Sequence, residues 1–313
     1  MSTVPTIDIQ NIDNAALDTI DTACRDHGFF LLIGHGLDPL MADMWQQAAA
    51  FFAAPSATKG AVMRTATNPL GYFDRELTKR KRDQKETFDF RPTDWMTGEK
   101  AMPWPTGMPT FEATLRRYFT ANTVLAASVT RLVCQAMGTS PNSLDEAFGP
   151  HHTSMARINH YPVDDPVPTE ERINVNPLGD MALHHHTDPG AITLLFQDSV
   201  GGLQALSDEG GWIDIPAKTE AIVVNLGDIM QVWSNDRYKA AVHRVTKRPP
   251  GNARYSIPFF YQPEADTVIQ PILQPDAPHY RAFSWRDFIQ GRLDDNYADL
   301  GEDDIQVTQY KLR

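Results

Sequence analysis

The sequence predicts a mixed α and β protein: a helical N-terminal half packed around a β-rich half that reads as a sandwich or jelly roll. Three observations carry this. Helix-period apolar stripes fill the first half of the chain and strand-like segments are few there. After about residue 153 the segments become short, rich in β-branched and aromatic residues, and punctuated by Gly, Asn, Asp or Pro. Many short strands at near-regular spacing build sandwiches and jelly-roll barrels.

The elements follow in order. Residues 5–9, PTIDI, read as a short strand. Asn14 is placed to cap a helix that Gly28 ends. FFLLIGH, Phe29 to His35, is a buried strand broken by Gly36. Asp38-Pro39 opens a second helix whose Leu40, Met44, Ala48 and Phe51 share one face. Residues 54–109 read as irregular. A long helix runs from about Phe111, with Leu115, Tyr118, Leu125, Val129 and Leu132 on its stripe, and Gly138 stops it. MARINHYP, AITLLFQD, GLQALS, GWIDIPA, AIVVNLGD, AVHRVTK and ARYSIPFFYQ then read as strands, and SWRDFIQGRLDDNY as a closing helix. This divides the chain into a mixed helical region (1–152), a β-rich catalytic core (153–263) and a C-terminal extension with a helix (264–313).

Composition narrows the function classes. The chain has 313 residues, 42% hydrophobic and 22% charged, enough to bury a large core. Its formal charge of −12 repels phosphate backbones, so nucleic acid is not expected as a partner. The basic run Lys79-Arg80-Lys81-Arg82 reads as a solvated loop. Cys24 and Cys134 sit far apart in helical patterns and read as reduced, packed thiols. The opening MSTVPTIDIQ lacks the pattern of a signal peptide, and no stretch reaches the roughly 18 apolar residues of a membrane span. A cytoplasmic protein with no membrane contact is expected; oligomeric state is left open.

The chemistry gathers around LHHHTDPG, Leu183 to Gly190. On extended backbone, residues two apart face the same side, so His186 and Asp188 can converge on one cation. A third ligand is expected from a later strand, and His243 in AAVHRVT is the candidate. Two histidines and one carboxylate bind one face of an octahedral metal and leave three positions open, as in non-haem Fe(II) oxygenases. With no cysteine nearby, a closed zinc site is a poorer reading. One carboxylate leaves an Fe(II) site net positive, which favours an anionic co-ligand such as a 2-oxo acid. Arg254 and Ser256, again two apart, can share a face and receive a carboxylate, with Tyr161 adding a phenolic hydrogen bond.

At these residues the sequence resembles the isopenicillin N synthase-like group of iron(II)/2-oxoglutarate-dependent dioxygenases. HTDPGAITLLFQDSVGGLQAL, VVNLGDIMQVWSNDRYKAAVHRV and RYSIPFFYQP resemble that family's core, and VPTIDI with CRDHGFFLLIGHGL its opening. The likeness covers residues 4–263, softer over about 54–152. It implies a double-stranded β-helix (jelly-roll) core. It implies His186, Asp188 and His243 as catalytic iron ligands. It implies Arg254 and Ser256 as the receptor for 2-oxoglutarate, helped by Tyr161 and by Asn159 of the Asn-x-Tyr motif. Fe(II), 2-oxoglutarate and O₂ are then required, with ascorbate as a reductant. A small organic metabolite is hydroxylated, desaturated or cyclised while succinate and CO₂ leave. Two rival readings stay within the family: an isopenicillin N synthase-like oxidase that uses no 2-oxoglutarate, and an ethylene-forming enzyme. A binding module that kept the pocket and lost the chemistry is a third.

By the same resemblance the substrate wall falls at Phe88, Phe90, Arg157, Phe260 and Gln262. If Arg157 faces the pocket, a substrate carboxylate or phenolate is expected. His184 and His185 read either as a polar strand entry or as substrate contacts, and His184 is kept as a candidate. His160 stands where many relatives carry tyrosine.

Overall fold

The computed structural model describes residues 4–65, 68–78, 81–92, 102–179, 181–207, 211–246, 253–273, 277–297 and 305–312. The strands are β1 (Thr6–Asp8), β2 (Phe29–Ile33), β3 (Gly71–Phe73), β4 (Leu77–Thr78), β5 (Lys81–Arg82), β6 (Glu86–Phe90), β7 (Met155–Tyr161) and β8 (Leu183–His186). Then come β9 (Ile192–Gln197), β10 (Leu203–Leu206), β11 (Trp212–Asp214), β12 (Ile222–Leu226), β13 (His243–Val245), β14 (Arg254–Tyr261), β15 (Val268–Ile269) and β16 (Phe283–Ser284). The α-helices are α1 (Asn14–Asp26), α2 (Asp38–Phe52), α3 (Ser56–Gly60), α4 (Pro109–Ala136), α5 (Asp228–Trp233) and α6 (Trp285–Tyr297).

Eight strands form the major sheet in the order β1-β2-β12-β9-β14-β7-β6-β3, and four form a second sheet, β11-β10-β13-β8. The strand period of two gives each major strand two duties. Phe30 and Leu32, Leu194 and Phe196, and Ile257 and Phe259 pack on one face in a core shared with α1, α2 and α4. Their neighbours Phe29, Leu31, Leu195 and Val223 face the other way and join Leu203, Ala205 and Val245 of the second sheet. Two facing sheets with helices on the outer side of the larger one make the jelly-roll core. Both faces of the major sheet are covered, which is why β2, β9 and β12 read as nearly continuous apolar runs.

Several expectations change in detail. The cap of α1 is Asp13, whose carboxylate accepts from the Ala16 amide at 2.8 Å, one residue before Asn14. Among its described residues, the segment expected to be irregular, 54–109, carries α3 and four strands, two of them extending the major sheet. Of the basic run, Lys79 and Arg80 lie outside the described residues. Arg82 is no solvated loop residue: it is 2% exposed and grips Asp165 with both terminal nitrogens, at 2.5 and 2.6 Å. The major sheet also joins strands of the N-terminal region (β1, β2, β3, β6) to strands of the β-rich core. Cys24 and Cys134 are buried free thiols, and burial raises both above the ordinary range. Among the described residues no helix is long and apolar enough to cross a membrane.

Candidate active site

The cavity between the two sheets has a volume of about 170 Å³. The second sheet supplies His186 and His243, which are direct partners across β8 and β13. Between this pair and the next, Val245 with Leu183, β8 spends one residue more than β13, a β-bulge. That extra residue lets both Leu183 and His186 reach the cavity from one short strand. Asp188 follows on the loop. It is held where α5 begins: the Asp228 amide donates to the Asp188 carbonyl at 2.8 Å. A Cβ at Gly227 would meet the Gly190 carbonyl oxygen at 2.1 Å and that of Asp188 at 2.7 Å, so this approach requires glycine.

The donor set is oriented before any ion arrives. Nδ1 of His186 sits 2.9 Å from its own strand's His184 carbonyl, and Nδ1 of His243 lies 2.8 Å from the Ala241 carbonyl. A carbonyl only accepts, so each Nδ1 carries the proton and each Nε2 keeps its lone pair. Those Nε2 atoms lie 3.8 and 3.9 Å from Oδ1 of Asp188. Oδ2 is occupied, accepting from the Thr193 hydroxyl at 2.6 Å and the Asn225 amide at 2.9 Å. Ligand atoms of the three side chains all lie within 4.8 Å of one another. Burial, and then the neighbouring His243, push the His186 imidazole down to about 3, so it is neutral at physiological pH, as a ligand must be. Burial works to raise Asp188, but His243, His186 and the two hydrogen bonds outweigh it and keep the carboxylate ionised. Two imidazoles and one carboxylate with open space beside them fit a divalent iron.

The inner face of the major sheet supplies the rest. Arg254 and Ser256 on β14, and Asn159 and Tyr161 on β7, all line the cavity. Arg254 donates to the Ser256 hydroxyl at 3.2 Å and to Gln197 at 3.4 Å, and lies over the Tyr161 ring at 4.9 Å. It is 2% exposed, yet among the described residues no carboxylate pairs with it, and its Nε has no hydrogen-bond partner. A buried guanidinium without a counter-charge fits an incoming carboxylate.

The expected substrate wall is corrected in part. Phe260 and Gln262 line the cavity, as does Arg157. Phe88 and Phe90 do not. β6 pairs Phe88 with Ile158 and Asp89 with Arg157, so the phenylalanines share the helix-facing side with Ile158, and Asp89 faces the cavity side. Phe88 packs against Phe51 and Phe111, with ring centroids 4.8 and 5.1 Å away. His184 also turns from the cavity, with Nδ1 2.9 Å from Asp83. His185 is exposed and edge-on to Trp212. His160, on the helix-facing side, stacks on Tyr255 and meets Glu86 at 2.7 Å.

Sequence reasoning passed over Thr193 and Asn225, which alternation along β9 and β12 places beside Asp188. It also passed over Glu76, Lys85 and Arg292, which line the cavity. The first two lie in the segment read as irregular, and Arg292 arrives from α6, where no local pattern marks it.

The comparisons with known proteins agree with this geometry. A family model described as the 2OG-Fe(II) oxygenase superfamily matches residues 152–263, and one described as the non-haem dioxygenase in morphine synthesis N-terminal matches residues 4–108. A 2-oxoglutarate-dependent dioxygenase of Didymella fabae is 31% identical over 307 residues, covering 90% of each chain. A full-length Neurospora crassa protein, solved in complex with alpha-KG and thymine, superposes with a TM-score of 0.78 at 28% identity, over 94% of this chain and 97% of that one. JOX2 in complex with 2OG, Fe and JA gives 0.79 at 27% identity, over 92% and 84%. The chain thus belongs to the 2OG-Fe(II) oxygenase superfamily, as an iron(II)- and 2-oxoglutarate-dependent oxygenase.

Proposed function

We propose that His186, Asp188 and His243 hold the iron and that Arg254 and Ser256 receive the distal carboxylate of 2-oxoglutarate. Tyr161 and Asn159 support that end of the cavity. When bound, iron and 2-oxoglutarate supply O₂ activation and the oxidising power for a C–H bond, with succinate and CO₂ as co-products and ascorbate as the accessory reductant. The chain's own residues do the positioning. The two backbone carbonyls fix both imidazole tautomers, Thr193 and Asn225 hold one carboxylate oxygen so that the other stays free to ligate, and Leu195, Leu203 and Val245 add apolar surface to the cavity. The substrate is a small molecule; the solved relatives that bind thymine and JA support this. Acidic charge and buried reduced thiols support a cytoplasmic enzyme that binds neither nucleic acid nor membrane.

The observation that carries the cosubstrate assignment is the buried guanidinium of Arg254, which no carboxylate among the described residues pairs with, in the same cavity as the triad. The rival readings differ in what meets that guanidinium. An oxidase without 2-oxoglutarate would need a substrate carboxylate at Arg254, and an ethylene-forming enzyme would consume 2-oxoglutarate without a second substrate. The test is succinate release from the full chain with Fe(II), 2-oxoglutarate and O₂ across a metabolite library, with mass analysis of products. One succinate per oxidised product is expected. Product without succinate moves the assignment to the oxidase reading, and ethylene without other product moves it to the ethylene-forming reading.

A further inference from the structure

We propose that the cavity selects an uncharged, hydrogen-bonding small molecule, of the carboxamide or lactam type, over a carboxylate. This rests on the assignment of Arg254 to 2-oxoglutarate. It comes from a contrast between two arginines. Arg254 faces the cavity with no carboxylate beside it among the described residues. Arg157, the residue from which an anionic substrate was expected, faces the same cavity fully matched. Its Nε and Nη2 reach Asp89 at 2.5 and 2.9 Å, and its Nη1 and Nη2 reach Glu76 at 2.8 and 2.9 Å.

The matching extends across the wall. Lys85 meets Glu76 at 2.8 Å and Asp83 at 3.3 Å, while Arg64 meets Asp89 at 3.3 Å and Glu76 at 3.5 Å. Among the described residues, three cations (Arg64, Lys85, Arg157) therefore stand against three carboxylates (Glu76, Asp83, Asp89), all at least largely buried. Burial opposes the charge on Glu76, but Arg157, Lys85 and Arg64 hold its carboxyl well below the usual carboxylate range. Arg292 enters from α6 with its own partners, the Thr187 carbonyl at 2.8 Å and Asp228 at 3.8 Å.

The centre balances in the same way once loaded. Iron(II) brings two positive charges and 2-oxoglutarate two negative ones, and Asp188 offsets Arg254. A substrate carboxylate would then enter a cavity in which, among the described residues, every cation already has its counter-charge. It would either stay unpaired in a buried place or compete with Glu76 and Asp89 for Arg157, and both are unfavourable. A neutral polar group meets neither penalty. Lys85 and Arg157 offer N–H donors, Glu76 and the Gln262 amide offer acceptors, and Met155, Phe260 and Ile289 supply apolar surface.

The test uses the full chain loaded anaerobically with Fe(II) and 2-oxoglutarate, titrated in a calorimeter. The probes are matched pairs on one skeleton: benzamide and benzoate, nicotinamide and nicotinate, hexanamide and hexanoate. The wild type is expected to bind the amides at least tenfold more tightly. Glu76→Gln removes one negative charge from the wall and should move the ratio at least tenfold toward the acids. Lys85→Gln removes one positive charge and should move it away from the acids and toward a matched amine, benzylamine. These opposite signs separate a charge effect from damage to the fold, which would weaken all probes alike. Acids binding as tightly as amides, no amide binding at all, or a ratio that neither variant moves would overturn the proposal. Failure of the cosubstrate assignment would appear earlier and separately, as 2-oxoglutarate failing to bind the iron-loaded enzyme before any probe is added.

Discussion

At the scale of single residues, the run of three histidines resolves into three environments. His186 faces the cavity, His184 is tied to Asp83, and His185 is exposed beside Trp212. Replacing His186 by Ala removes one of three ligands and should abolish stoichiometric Fe(II) binding, whereas His185→Ala should keep it; anaerobic Fe(II) titration reads both. Equal iron binding in wild type and His186→Ala would remove this residue from the metal site. Arg254→Lys keeps the charge but loses the planar fork. The KM for 2-oxoglutarate should rise at least tenfold with iron affinity unchanged, and an unaltered KM would take the cosubstrate away from Arg254. The spacings of both motifs were legible in the sequence: Arg254 and Ser256 share a side of β14, while Asp188 follows β8 on a loop that brings it back to His186. The partners that aim those side chains were not, since Thr193, Asn225 and the carbonyl of Ala241 reach the ligands through pairing or local backbone geometry.

At the scale of elements, β6 shows how a strand works on two sides at once. Its Thr87 and Asp89 belong to the cavity side, while Glu86, Phe88 and Phe90 face the helices. Glu86 gathers the Tyr72 hydroxyl at 2.6 Å, His160 at 2.7 Å and Lys59 at 2.8 Å, joining β3, β7 and α3. Burial works to raise its pKa, but the bonds from His160, Lys59 and Tyr72 outweigh it and lower it from 4.5. A carboxylate held below its unfolded value adds stability above that value, and the contribution is lost as pH falls through the folded one. Glu86→Gln should therefore cost roughly 1–3 kcal/mol at pH 7, the range for breaking a buried charged hydrogen bond. The difference from wild type should shrink when urea denaturation is repeated near pH 4, and a constant difference would show that packing rather than charge is responsible. The aromatic content of β6 was visible in the sequence. Its parity was not, because a one-residue change of register exchanges the two faces of a strand.

At the scale of the whole molecule, the sheet crosses the boundaries drawn along the sequence. β12 pairs with β2, and β7 pairs with β6, so strands of the 153–263 segment take N-terminal strands as neighbours. The outer face of that segment, including Ile158, Leu194, Phe196, Val224, Ile257 and Phe259, is covered by α1, α2 and α4. Residues 153–263 produced alone would expose this face and two sheet edges. The fragment is expected to show no cooperative unfolding transition, and a sharp thermal transition in it would make the segment an independent domain. The C-terminal region is also part of the site, since Ile289 and Arg292 of α6 line the cavity.

The class of fold, the candidate ligand triad and the arginine–serine pair could all be read along the chain. They show in local periodicity and in short motif spacings, which are properties of the chain alone, although the triad itself closes only when β13 pairs with β8. The rest came from packing. It set which side of β6 meets the cavity, which histidines turn away, and that Arg157 is paired with carboxylates while, among the described residues, Arg254 is not. Each of these depends on which strand lies next to which and in what register. A side chain's charge can be read from its residue type, but whether that charge is already matched depends on neighbours that are distant in sequence.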